Sequence, residues 1–171
     1  VQAKFLIVSA RTSGNQTDAE GISLFVVPTG ADGVRLHGYP AVDGHRASEV
    51  HLESVKLGPE AVLGEVGQAH YAIEKVADLA SLALCAEAVG CMQVLYENTL
   101  AYLKEREQFG QKLGSFQALQ HRMVDVYMSY EESRSIAYAT AAGLTDVDTR
   151  ERKRLVSVTK AQIGKAGRHV G

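Results

Sequence analysis

The sequence predicts an α+β fold, a short antiparallel β-domain segment followed by an up-and-down helical bundle. Three observations carry that expectation. Short apolar or alternating runs, divided by Gly, Pro and Asp turns, fill the first third of the chain. From Gln68 to Arg106 there is no proline and one glycine, Gly90, while apolar residues recur at three- and four-residue steps. Two more helical stretches follow, each after a short polar break, which is the grammar of antiparallel bundle helices. Segregated strands and helices fit α+β better than an alternating fold. The expected division is residues 1–66 as part of a β-domain and residues 67–171 as the bundle. The start at Val1, the few strands and a last helix running to Gly171 suggest a piece of a longer protein, incomplete at both ends.

Each element has a local cause. Lys4 to Ala10 and Ile22 to Val27 are apolar runs closed by Arg11–Gly21 and by Pro28-Thr29-Gly30. Val34 to Tyr39 alternates, and so does Ser48 to Val55, on either side of Pro40 and Asp43-Gly44. Pro59, Gly64 and Gly67 then punctuate the exit. The helix over 68–106 would be close to 60 Å long at ~1.5 Å per residue. Its expected stripe is Ile73, Val76, Leu79, Leu82, Ala83, Ala86, Val89, Met92, Leu95, Leu100 and Leu103. Ser115 is the expected N-cap of a second helix from Phe116 to about Gly143, with Leu119, Met123, Val126, Tyr127, Tyr130 and Ile136 inward. Asp146 or Asp148 should cap a third helix from Arg150 onward.

Composition excludes several classes. The 171 residues are 46% hydrophobic and 22% charged, which argues against disorder. A formal net charge of -2 gives the whole chain no pull toward nucleic acid or anionic lipid. No apolar run is expected to reach the roughly 18 residues of a membrane span. Cys85 and Cys91 lie six positions apart on one helix and point to different faces, so they form neither a local disulfide nor a CxxC centre. Two buried thiols in a reducing cytosol are expected, placing the protein in the cytoplasm. Asn15-Gln16-Thr17 reads as a polar turn rather than a glycosylation site.

Self-contained catalytic motifs are missing: no HExxH, GxSxG, Walker A, GxGxxG after a strand, or zinc-spaced Cys/His set. His37, His45 and His51 read as surface strand histidines, and no metal site is expected. The helix carboxylates Glu105, Glu107, Glu131 and Glu132 read as solvated faces. The segment Arg106 to Gln120 is harder to explain as a plain connector. It sets an arginine at the end of one helix, two glycines, and Ser-Phe-Gln at the start of the next. Guanidinium donors and the free N–H groups of a helix start make a pyrophosphate cradle, with Phe109 and Phe116 to pack on a planar ring. The alternative is that Arg106 pairs with a nearby carboxylate while both rings staple the bundle.

Arg106-Glu107-Gln108-Phe109-Gly110, continuing to Leu113, Phe116-Gln117 and Gln120, resembles the R-x-x-F-G-x-x-L-x-x-x-Q signature of the acyl-CoA dehydrogenase family. Gly21 to Val27 with Gly33-Val34 looks like that family's middle β-domain. Gly44 to Val50, Val55 to Pro59 and Val62 to Gly67 look like its final strands and exit. Within the family, Arg11-Thr12 and Ala83 to Gly90 look most like the small subunit of pimeloyl-CoA dehydrogenases.

The resemblance implies a flavoprotein whose FAD lies between a β-domain and a helical bundle and reaches across a dimer interface. Carried over by position, Arg106 would hold the FAD pyrophosphate, with Gln108, Phe109, Leu113 and Gln117 around it, for the partner's flavin. It also implies α,β-dehydrogenation of an acyl-CoA, with electrons passed to an electron-transfer flavoprotein, in a homo- or hetero-oligomer, dimer or tetramer. The family's usual glutamate base would lie beyond Gly171. Its alternative position, just after an Asp-Leu pair, is Ala80 here, after Asp78-Leu79, and Ser81 follows. No catalytic residue is therefore assigned; Asp78 remains as a residue near bound substrate, and Glu87 reads as a structural hydrogen-bonding group. A catalytically silent subunit is the alternative function, and a helical interaction module unrelated to flavin is a third.

Overall fold

The computed structural model describes residues 3–144 and 147–171. The chain forms two compact units, Val1–Glu74 and Lys75–Gly171. In the first, strands β1 (Phe5–Arg11), β2 (Ile22–Pro28) and β5 (Val62–Leu63) form an antiparallel sheet of order β1-β2-β5. Strands β3 (Val34–Pro40) and β4 (Arg46–Leu52) pair separately as a hairpin. The alternation sets its register: Val34 faces Leu52 and Leu36 faces Val50 across the pair. The fourth run ends at Leu52 rather than Val55, because Ser54 turns to a positive φ of 55°. The unit's core is small, with Val27, Ala69 and the hydroxyl of Ser23 buried. Ser23 Oγ accepts the Gly67 N–H at 2.7 Å and shares a 2.8 Å hydrogen bond with Thr12 Oγ1. Its polar atom is thereby satisfied, and the exit segment is tied to β2.

Helices α1 (His70–Glu105), α2 (Gln117–Gly143) and α3 (Thr149–Val170) follow. Their common core is Cys85 and Met92 of α1, Tyr130 and Ala137 of α2, and Ile163 and Ala166 of α3. Tyr96 stacks on Tyr130 with ring centroids 6.1 Å apart, extending the contact of α1 with α2. The expected stripes are only partly the buried ones. Val76, Leu79 and Leu95 are about half exposed, while Ser133, Thr140 and Thr159 are fully buried. Small hydroxyl residues let α2 and α3 approach closely, and their polar atoms are satisfied locally. Thr159 Oγ1 donates to Leu155 O at 2.9 Å, so in the 2.7 Å contact between the two hydroxyls Thr140 is the donor. Ser133 Oγ donates to Ser129 O at 2.7 Å.

α3 begins where Asp148 accepts the Glu151 N–H at 2.8 Å, the expected aspartate cap; Asp146 lies outside the described residues. Ser115 is not the cap of α2. A 3₁₀ turn, Leu113–Ser115, places Phe116 there, and Ser115 Oγ donates back to Lys112 O at 2.6 Å. One composition-based expectation also changes, because α1 is long and apolar enough to cross a membrane by length and composition alone. A helix apolar around its circumference is equally what the interior of a bundle requires. Both cysteines are free, as expected, but only Cys85 is buried; Cys91 is exposed.

Candidate functional site

The chemistry of the Arg106 segment follows from how α1 ends. After Glu105 the Arg106 N–H still bonds to Tyr102 O at 2.8 Å, closing the last turn. The chain then folds on itself as a two-stranded hairpin, β6 (Glu107–Gln108) and β7 (Gln111–Lys112), which the spacing did not predict. Phe109 and Gly110 form its two-residue tip with φ of 54° and 76°. Both values are positive, the combination that primed hairpin turns require. Glycine adopts it freely, whereas a bulky aromatic there is strained. That strained ring is 89% exposed and meets Phe116 edge-on, with centroids 6.2 Å apart and planes at 88°.

The hairpin returns the chain to its start. Leu113 N–H bonds to Arg106 O at 2.8 Å, and Gln120 Nε2 donates to Gly114 O at 2.8 Å. Gly114 is needed for closeness, since a Cβ there would lie 3.0 Å from Leu103 O of α1. Gln117 is thus the first residue of α2, whose amino terminus has no side-chain cap and no acidic residue in its first turn. Arg106 is exposed, and no hydrogen bond or ion pair joins its guanidinium to the described residues. The carboxylate pairing offered as an alternative for Arg106 is absent among them. Arg106, Gln108, Phe109, Leu113 and Gln117 are therefore gathered within one loop. A cation without an ion-pair partner, an uncapped helix start and an exposed ring form a set suited to an anionic ligand with a planar group.

Asp78 is elsewhere. It lies 28 residues before Arg106, about 40 Å along the helix axis at ~1.5 Å per residue. Its Oδ2 accepts from Arg152 Nε of α3 at 2.8 Å, and the Arg152 side chain is 4% exposed. Sequence reasoning missed this ion pair. Its signal was an arginine on the inward stripe of α3, four residues before Val156 and eleven before Ile163. Glu87 is exposed, without the expected hydrogen bond among the described residues. No group of three or more His, Cys, Asp or Glu side chains among them could hold a metal ion. Burial pushes the Cys85 thiol up from its ordinary value, opposed by the charge of Lys160.

A model of the C-terminal domain of acyl-CoA dehydrogenase matches residues 69–171. Mitochondrial isovaleryl-CoA dehydrogenase of Solanum tuberosum is 35% identical over 142 residues, covering 81% of this chain and 34% of that protein. The chain therefore spans about a third of the length of this relative. Among solved structures, a probable acyl CoA dehydrogenase from Mycobacterium abscessus superposes with a TM-score of 0.88 at 18% identity, over 99% of this chain and 45% of that one. The FAD complex of PigA superposes with a TM-score of 0.76 at 26% identity, over 99% and 46%.

Proposed function

The chain belongs to the acyl-CoA dehydrogenase family, and from that premise we propose that it is the β-domain end and helical part of an FAD-dependent enzyme that dehydrogenates an acyl-CoA thioester at its α,β bond. The observation that carries the reading is the exposed Arg106 guanidinium, bonded to no described side chain, in one hairpin with the strained, exposed Phe109 tip. Those residues fit FAD by their donor chemistry. Arg106 offers paired N–H donors to pyrophosphate oxygens, and the uncapped start of α2 at Gln117 adds backbone donors and a favourable dipole. Phe109 presents a ring face, Gln108 an amide, and Leu113 fixes the loop through its N–H to Arg106 O. When bound, the flavin supplies the acceptor for the substrate's β-hydride.

In this proposal the cradle serves the flavin of a partner protomer, in a homo- or hetero-oligomer that passes its electrons to an electron-transfer flavoprotein. A pair of free thiols fits a reducing compartment such as the cytoplasm. The test is flavin release on dilution of the complete protein. Arg106→Ala should weaken FAD by roughly 1.5–3 kcal/mol, the worth of hydrogen bonds to a charged group. Unchanged flavin affinity in that variant would remove the proposal's foundation.

One observation favours a second reading, a subunit that binds a partner chain and supplies no base. Ala80 stands where some family members carry a glutamate, and the Asp78 carboxylate two residues earlier is engaged by Arg152. Asp78 then braces the substrate end of α1 rather than exchanging protons. Anaerobic bleaching by short, medium and dicarboxylic acyl-CoAs separates the readings. A silent subunit bleaches only when its partner subunit is present.

A further inference from the structure

α3 carries seven Arg and Lys against one acidic residue, in a chain whose formal net charge is -2. At ~100° per residue, Arg150, Lys153, Arg154, Lys160, Lys165 and Arg168 fall within an arc of about 140°. All six are exposed, Arg154 also bonding Glu151 one turn away at 2.6 Å, while Val156, Thr159, Ile163 and Ala166 bury the opposite face. Six cations on one side are not the surface of an intramolecular core, because desolvating them would cost several kcal/mol each.

Two further observations mark this face. Gly164 sits in the middle of it, and a Cβ there would have nothing beyond its own helix within 4 Å among the described residues. An exposed helix-interior glycine is unfavourable relative to alanine and has no packing reason here, unless an external backbone comes close. Beside it runs a groove between α2 and α3, floored by Ile136, Val158 and Ala161 and rimmed by Glu132, Gln162 and Lys165. A pocket of that kind accepts an apolar side chain as an anchor, surrounded by a charged rim.

We propose that the outer face of α3 docks an acidic protein segment carrying one projecting apolar side chain. Charge complementarity steers the segment in, the groove holds its anchor, and Gly164 admits its backbone. A membrane is disfavoured because the apolar face that would insert is buried in the bundle. Nucleic acid is disfavoured because α3 carries no Phe, Tyr or Trp as a stacking platform. The inference does not depend on the flavin reading.

The test uses the complete protein that carries this chain over immobilised poly(Glu,Tyr), with poly-L-glutamate, phosphatidylserine–phosphatidylcholine vesicles and duplex DNA as the other surfaces. Poly(Glu,Tyr) should bind most tightly, and the affinity should fall with added salt. The triple variant Lys160→Glu, Lys165→Glu and Arg168→Glu should bind roughly tenfold more weakly or worse. Val158→Asp should abolish the preference for poly(Glu,Tyr) over poly-L-glutamate. Gly164→Ala should raise Tm and still bind more weakly, which no misfolding explains. Absence of binding, full affinity in both the triple variant and Gly164→Ala, or vesicles or DNA bound as tightly as poly(Glu,Tyr) overturns the proposal.

Discussion

The two ends of α1 treat charge in opposite ways. Near its amino end Asp78 meets Arg152 of α3, and the arginine side chain is almost wholly withdrawn from water. At its carboxyl end Arg106 stands in solvent near an exposed ring, with no ion-pair partner within reach of its guanidinium among the described residues. A buried charge must be matched within the fold, whereas an exposed one can wait for a ligand. The first end is therefore a structural brace, and the second is the surface we propose receives the flavin. Exposed Val76, Leu84, Val94 and Tyr102 along α1 add that apolar area, too, is left uncovered by the described residues.

The strongest way to break this contrast is at the brace. Asp78→Ala removes one ion-pair partner of a buried guanidinium and should cost up to about 3 kcal/mol, read from urea melts of the complete protein. Adding Arg152→Leu to Asp78→Leu should recover most of that loss, since an apolar pair of similar volume has no charge to desolvate. A single substitution costing under about 1 kcal/mol would place this pair with ordinary surface ion pairs.

Next in size is the hairpin tip. Phe109→Gly keeps the left-handed tip but relieves the roughly 1–2 kcal/mol that it costs an L-residue, partly offset by glycine's larger entropy loss. Stability should rise by up to about 1 kcal/mol while flavin affinity falls. A drop in Tm would instead make the edge-on contact with Phe116 a packing requirement. Arg106→Ala should leave the unfolding free energy from urea melts within about 0.5 kcal/mol of the parent, as for other exposed positions. A larger loss would mean that Arg106 belongs to the fold after all.

The smallest effect lies at Cys85, midway along α1. Burial raises its thiol above the ordinary 9.0, so the folded state holds the proton more firmly than the unfolded chain. That contribution is fully present below pH 9.0 and is lost as pH rises through the folded-state value. A stability profile between pH 8 and 11 should fall less steeply in Cys85→Ala than in the parent. Identical slopes would show that the thiol does not contribute.

Much of the fold was legible because its signals are local. Alternation in Val34 to Tyr39 placed β3, and the proline-free stretch after Gln68 placed α1 to within two residues. The Arg106 segment was legible as a cluster because all five of its residues lie within twelve positions. Its hairpin was not, since four residues of strand and a Phe-Gly tip offer too little pattern to tell from a plain loop. The buried stripes of α1 and α2 were misjudged because apolar residues lie all around α1, leaving periodicity no phase to report.

By itself, then, the sequence determined the four long strands and the three helices, and that a cation, two rings and a helix start share one loop. Backbone propensity, turn chemistry and hydrophobic period act between near neighbours, and neighbours are visible in a string of letters. Only the tertiary structure decided that Asp78 meets Arg152, 74 residues away, and that Arg106 meets no partner among the described residues. It also decided that Thr140 and Thr159, rather than larger apolar residues, fill the seam between α2 and α3. Each outcome depends on which faces come together when helices pack, and that choice minimises exposed apolar area and unpaired polar atoms over the whole assembly at once.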